Sequence, residues 1–134
     1  MTKGLLTTRK GEYLFEYEGK FHADHKAKVY YFEVWKENSE KIHRFSMILK
    51  EIEGKSDLKV IDLFAQDYQG EGISIPLILK AKKMFNKRII SSSNKKKTYY
   101  NEANWPSAIV KVWKPMVDQG LAKYDVENDF YYVL

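Results

Sequence analysis

The sequence predicts a single mixed α/β (α+β) domain, and three observations carry that prediction. Four strand-like runs rich in aromatic and β-branched residues follow one another through the first half. The apolar spacing then changes to a helical one, and two short strand-like runs close the chain. A length of 134 residues suits one core, so residues 1–134 are taken as one domain with no linker and no internal repeat. The expected order is β-β-β-β-α-β-α-β-β, with a central, mostly antiparallel sheet.

Met1 to Lys10 is short and polar, and a loose end is expected there. Glu12 to Glu18 is rich in strand formers and stops at Gly19, leaving Gly19 to Lys26 as a loop. Ala27 to Lys36 reads as a second strand. The polar turn Glu37-Asn38-Ser39-Glu40 returns the chain into a third strand, Lys41 to Lys50. Gly54-Lys55-Ser56-Asp57 turns it again into a fourth, Leu58 to Ala65.

From Ile73 to Asn86, Leu77, Ile78, Ala81, Met84 and Phe85 recur at helical spacing, with Pro76 in the first turn where its missing N–H costs little. Lys87 to Ser93 is a short strand. Asn104 is a suitable N-cap for a helix from Trp105 to Gln119, whose stripe is Trp105, Ala108, Ile109, Val112, Trp113, Met116 and Val117. Pro115 removes a bond to the Lys111 carbonyl and should bend this helix, and Gly120 suits its C′ position. Leu121 to Tyr124 and Asp129 to Leu134 form a hairpin around Asp125-Val126-Glu127-Asn128.

Composition narrows the function classes. The absence of cysteine removes disulfides and thiolate metal sites. No apolar run approaches a membrane span and the first residues lack a signal-peptide core, so a cytoplasmic protein with no membrane partner is expected. His22 and His25 flank Asp24 without a third ligand at a known spacing, so no metal site is expected. A net charge of +5 suits a nucleic acid or a phosphorylated cofactor. The basic residues Lys80, Lys82, Lys83, Lys87, Arg88 and Lys95 to Lys97 read first as a solvated helix face and loop.

Tyr68-Gln69-Gly70-Glu71-Gly72-Ile73-Ser74 lies between the fourth strand and the first helix. A strand, a turn with two glycines and a helix start make a ready anion site, because the backbone can approach a ligand closely and the first N–H groups of the helix face it. The stretch is not a P-loop, since no Gly-Lys-Ser/Thr follows, and it lacks the three glycines of a dinucleotide fingerprint.

In that place, Gln69-Gly70-Glu71-Gly72-Ile73-Ser74 resembles motif A of the GNAT superfamily of N-acetyltransferases, Arg/Gln-x-x-Gly-x-Gly/Ala, with Ser74 at the last position. The resemblance runs from Ala27 to the C-terminus and rests on the motif and the order of elements; short GNAT-like proteins of bacteriophage are similar in size. It implies acetyl-CoA as cofactor and an amine acceptor, either a small molecule or a protein group. Backbone N–H groups from Gln69, Gly70, Glu71, Gly72, Ile73 and Ser74 would cap the pyrophosphate. The fourth and fifth strands would splay, with the pantetheine arm between them against Asp62, Leu63 and Phe64. Ser91 to Asn94 would face it, and Lys80, Lys83 or Lys95 to Lys97 would meet the 3′-phosphate. Asp62 is the carboxylate placed to deprotonate the amine.

Two family features are missing from the sequence. The position four before Gly120 is Met116, where many members carry a proton-donating tyrosine; Trp113 is a core residue by its spacing, and nothing orients Tyr99 and Tyr100. Gly19 to Lys26 is too short for the two helices that usually wall the acceptor cleft. A catalytically inactive coenzyme A-binding domain is therefore one alternative. The other is a winged-helix nucleic-acid-binding protein using helix 105–119 and hairpin 121–134, against which Asp125, Glu127 and Asp129 place acid where phosphates would lie. Exposed strand edges and ten tyrosines suit a homodimer.

Overall fold

The computed structural model describes residues 2–52, 54, 56–95 and 103–134. They form a curled eight-stranded sheet with two helical stretches, a mixed α+β architecture. The strands are β1 (Thr2–Thr8), β2 (Gly11–His22), β3 (Ala27–Trp35), β4 (Phe45–Glu51), β5 (Asp57–Phe64), β6 (Arg88–Ile90), β7 (Ala122–Asp125) and β8 (Phe130–Val133). They lie in the order β1-β2-β3-β4-β5-β6-β8-β7. Helix α1 (Ser74–Phe85) follows β5. The second stretch comprises α2 (Pro106–Ala108), a π-helical segment (Ile109–Trp113) and α3 (Lys114–Asp118).

The first correction is at the N-terminus. Thr2–Thr8 is not a loose end but an edge strand paired antiparallel with β2, from Thr2↔Tyr17 to Thr8↔Gly11. Among the described strands it pairs with β2 alone, Leu6 and Thr8 are its buried residues, and a polar sequence satisfies an edge position. Gly4 lies under the Phe15 ring, where an added Cβ would stand 2.8 Å from Cε1. The strand before the glycine turn is therefore the fifth in the chain.

Gly19 does not end its strand. β2 continues to His22, because the Tyr30 ring fills the space beside Gly19, 2.8 Å from where a Cβ would sit. A turn at residues 23–26 joins β2 to β3. The segment Lys41 to Arg44, expected as strand, is loop. Asp67 Oδ2 accepts the N–H groups of Ile42 (3.1 Å) and His43 (2.8 Å), and the Gln66 amide donates to the Arg44 carbonyl (3.0 Å), so β4 begins only at Phe45.

One face of β2 to β4 carries Phe15, Phe32, Val34, Phe45, Met47 and Leu49, all at most 3 % exposed. Leu77, Ile78 and Ala81 of α1 are fully buried, and Phe85 meets Tyr17, Tyr30 and Phe32 at ring distances of 5.3, 4.6 and 6.1 Å. Each such side chain contributes about 1.5–3 kcal/mol by leaving water. On the opposite face Arg44 lies 3.7 Å over Trp35 and bonds Glu16 and Glu33 at 3.2 Å each.

β5 and β6 form the single parallel pair among the described strands, over Asp57↔Arg88, Leu58↔Ile89 and Lys59↔Ile90. The Arg88 guanidinium donates to the buried Asp57 carboxylate from Nε (3.0 Å) and Nη2 (2.8 Å). Arg88→Ala leaves that carboxylate without its charged donor, and a loss of about 1.5–3 kcal/mol is expected in urea unfolding. Arg88→Lys, which cannot make the two-pronged contact, should recover only part of it.

The ladder stops at Lys59↔Ile90, while β5 runs on to Phe64. The expected strand over Lys87 to Ser93 is cut short because serine hydroxyls replace strand pairing. Ser92 Oγ donates to the Val60 carbonyl at 2.7 Å, and Ser91 Oγ accepts the Tyr131 N–H at 2.9 Å. Asn104 is not the N-cap; Trp105 holds that place without a side-chain bond. The Asn104 amide instead bridges the Ser92 carbonyl and the Asn94 side chain at 2.7 Å each.

Pro115 acts as its chemistry dictates. Ahead of it the chain widens into the π segment, closed by the Lys114 N–H to the Ile109 carbonyl. Gly120 (φ 75°) then ends α3 with the paired bonds of a Schellman motif, Leu121 N–H to Met116 carbonyl (2.8 Å) and Gly120 N–H to Val117 carbonyl (3.0 Å).

Candidate functional site

The turn after β5 starts with a 3-10 turn, Gln66–Tyr68, and an extended Gln69. Gly70 and Gly72 have φ of 78° and 71°, the left-handed region that other residues enter at a cost. Ile73 is the N-cap of α1 and gives no side-chain cap, and no acidic residue occupies the first turn. The first helical bond runs from the Leu77 N–H to the Ile73 carbonyl at 3.0 Å. The N–H groups of Ser74 and Ile75 therefore enter the helix without an intrahelical acceptor, and Pro76 has none to satisfy.

This turn forms one wall of a cleft of about 940 Å³. Leu63, Phe64 and Phe45 lie along the sheet side, and Trp105, Lys111 and Val112 lie across from the turn. Arg9 and Lys111 are charged lining residues, and among the described residues no aspartate or glutamate lines the cleft. A smaller hollow of about 10 Å³, room for roughly one water, shares Leu63, Trp105 and Ala108 with the cleft and is bounded by Asp62, Ser92 and Asn104.

Glu71 is turned into the structure. Its carboxylate accepts the Tyr13 hydroxyl at 2.5 Å and pairs with Lys41, whose ammonium also lies 4.6 Å from the Tyr68 ring. Burial, then the neighbouring Tyr68, pushes the Tyr13 hydroxyl above its ordinary value. The Glu71 N–H is also engaged, donating to the Tyr68 carbonyl at 3.3 Å. Of the expected cradle, Gln69, Gly70, Gly72, Ile73 and Ser74 line the cleft and Glu71 does not.

Asp62 stands where β5 changes faces. The register shifts between Ile48 and Leu49, which pair with Asp62 and Val60, leaving Ile61 as an extra residue. Leu63 thereby opposes the core residue Met47, while Asp62 opposes Ile48. Asp62 is half-buried against the small hollow. Burial raises its carboxyl above the ordinary range, partly offset by a backbone hydrogen bond at Leu63.

Several expected contacts lie elsewhere. Asn94 accepts from Asn104 and does not line the cleft, and Ser91 and Ser92 spend their hydroxyls on internal carbonyls and N–H groups. Lys80 and Lys83 are exposed on α1 outside the cleft lining. The Lys95 N–H bonds Ser93 Oγ and Asp129, both at 3.2 Å. Lys96, Lys97, Tyr99 and Tyr100 lie outside the described residues. Trp113 and Met116 are fully buried. His22 and His25 meet edge to face at 4.7 Å, and His43 gives its N–H to Asp67.

Arg9 is the site residue that sequence reasoning missed. A Cβ on Gly72 would stand 3.2 Å from its Nε. The signal was present in Leu5-Leu6-Thr7-Thr8 followed by Arg9-Lys10-Gly11 and a strand, a hairpin pattern that would have placed Arg9 on a turn.

Comparison with protein-family models, with curated proteins and with solved structures returns no match. Among the described residues no helix is long and apolar enough to cross a membrane.

Proposed function

We propose that this chain binds coenzyme A in the cleft and, as a GNAT-like N-acyltransferase, moves an acetyl group from acetyl-CoA to an amine. The observation that carries the reading is the cleft itself, which joins two environments in one volume and adjoins a third through the small hollow. One wall holds an uncapped helix start and two glycines in the left-handed region, the floor is apolar, and a half-buried carboxylate lines the adjoining hollow. A pyrophosphate, a pantetheine arm and a thioester need those three environments next to one another. The volume of about 940 Å³ is at the upper end of the range that holds large ligands.

The stretch of β5 beyond Val60, which has no β6 partner among the described residues, supports the same reading, since its edge offers amide groups to the pantetheine arm. In the reaction Asp62 takes a proton from the ammonium acceptor, and the free amine attacks the thioester carbonyl. The C–S bond breaks and the thiolate leaves, to be protonated from water or the acceptor's second proton. A backbone N–H of β5 would stabilise the carbonyl oxygen as charge develops.

One observation favours coenzyme A binding without transfer as the second reading. The β2–β3 connection is a short turn, so no helices from that connection wall an acceptor site. The nucleic-acid reading draws less support. β8 pairs with β6 within the sheet, so the closing hairpin is not a free wing, and Val112, Trp113 and Met116 of the helix before it are buried.

Calorimetry with acetyl-CoA, coenzyme A and duplex DNA tests the proposal. Coenzyme A binding is expected, and Gly72→Asp should weaken it roughly 100-fold or more, because the new carboxylate enters the cradle beside Arg9. The left-handed backbone should cost that variant only about 1–2 kcal/mol of stability, so circular dichroism should show it folded. Salt-sensitive DNA binding with no heat from coenzyme A would overturn the reading.

A further inference from the structure

We infer that Arg9, carried to the cleft by the β1–β2 turn, is the side-chain cation that holds the phosphates of the ligand. This deepens the coenzyme A reading and rests on it. The motif supplies backbone groups from one segment in the middle of the chain; Arg9 comes from near its start, on the turn of the strand pair at the sheet's edge.

Four observations place it there. Arg9 lines the cleft together with Gly70, Gly72 and Ser74. Its Nε stands 3.2 Å and its Nη2 3.7 Å from the position a Cβ would take on Gly72, so the guanidinium lies against the bare backbone of the turn. The β1–β2 turn that presents it is internally bonded: Thr8 Oγ1, itself on a buried residue, donates to the Gly11 carbonyl at 3.0 Å and accepts the Lys10 N–H at 3.1 Å, and Gly11 has φ 115°. Finally, Arg9 has no carboxylate partner among the described residues. Both acids of the adjacent turn are engaged elsewhere, Glu71 by Tyr13 and Lys41 and Asp67 by the N–H groups of Ile42 and His43.

A guanidinium with no carboxylate partner, facing a cleft with no acidic lining residue among the described residues, is complementary to a dianionic group. Lys111 lines the same cleft from the π segment. The ligand class that follows is a diphosphate ester with an apolar arm, in which the diphosphate meets Arg9 and the arm occupies the floor at Leu63 and Phe45. Gly72 carries no side chain because that volume is where Arg9 and the phosphate oxygens meet.

The test is calorimetry of the full chain and of Arg9→Ala, Arg9→Lys and Lys10→Ala with coenzyme A, pantetheine and inorganic pyrophosphate. Arg9→Ala should weaken coenzyme A roughly ten- to a hundredfold and abolish pyrophosphate binding, with pantetheine unchanged. Arg9→Lys should restore only part of the affinity, and Lys10→Ala, one residue along the same turn, should bind as the unsubstituted chain does. Coenzyme A bound equally by the unsubstituted chain and Arg9→Ala would overturn the role of Arg9 while leaving the coenzyme A reading in place. A parallel loss of pantetheine affinity would overturn it as well, by marking the effect as structural. Pyrophosphate binding that depends on Arg9, with no coenzyme A binding by the unsubstituted chain, would sustain the phosphate site and overturn the coenzyme A reading.

Discussion

Asp62→Asn is expected to lower kcat for acetyl transfer by roughly 10²–10⁴-fold, the usual contribution of a general base, with coenzyme A affinity essentially unchanged. Asp62 borders the small hollow and not the main cleft, so removing its charge takes away the proposed proton acceptor and leaves the proposed phosphate cradle intact. Stability provides a second readout of opposite sign. Burial raises the Asp62 carboxyl above its ordinary value of 3.8, so the native state holds this proton more tightly than the unfolded chain does. Its favourable contribution is complete below the unfolded value and is lost as pH rises through the native one. At neutral pH the half-buried charge therefore works against folding, and asparagine removes that cost. Thermal melts should place Asp62→Asn at or above the unsubstituted protein at pH 7, with the difference closing on acidification below 3.8. If the proposed transfer occurs, the acidic limb of its rate profile should lie above the ordinary carboxylate range in the unsubstituted protein and vanish in the variant. An unchanged kcat, or a variant that melts lower at pH 7, would make Asp62 a structural residue.

The parts of this fold that were legible in the sequence are those decided locally. Leu77, Ile78 and Ala81 recur at helical spacing because one face of α1 meets the sheet, and all three are fully buried. Gly120 ends α3 because a left-handed residue must follow the last turn. The glycine turn was legible for the same reason: Gly70 and Gly72 hold backbone angles that their neighbours' chemistry cannot supply. What the sequence concealed depends on distant partners. The hairpin turn at Arg9-Lys10 left a local signal, but nothing in Thr-Lys-Gly-Leu-Leu-Thr-Thr announces a core, and Thr2–Thr8 becomes a strand by pairing with β2. Lys41 to Arg44 is loop because Asp67 takes its N–H groups. Asn104 has the chemistry of an N-cap, and the same chemistry serves the carbonyl of Ser92 and the side chain of Asn94. Arg9 reaches Gly72 only after β1 has paired, so the proposed anion site was half visible, backbone without side chain.

The largest loss of stability is expected at Trp113, where the π segment meets the sheet. The side chain is fully buried, stacks on Tyr131 with ring centres 5.9 Å apart and planes 10° from parallel, and backs the hollow beside Asp62. Trp113→Ala removes that stacking and leaves a cavity that the surrounding strands cannot close, because β8 is fixed to Ser91 through the Tyr131 N–H. Such truncations cost about 3–5 kcal/mol, a large share of the roughly 5–15 kcal/mol that holds a domain of this size together. The urea midpoint should fall accordingly, and the melting temperature by roughly 10–25 °C. Trp113→Phe keeps a ring against Tyr131 and should recover about half of the loss. The cavity also opens the wall behind Asp62 to water, which removes the desolvation that raises its carboxyl. In Trp113→Phe, which remains folded, the acidic limb of the transfer rate should therefore move toward the ordinary carboxylate range. A destabilisation below about 1 kcal/mol for Trp113→Ala would mean that the π segment does not anchor the second helical stretch to the sheet. A limb that stays in place in a folded Trp113→Phe would mean that Asp62 owes its shifted carboxyl to some other neighbour.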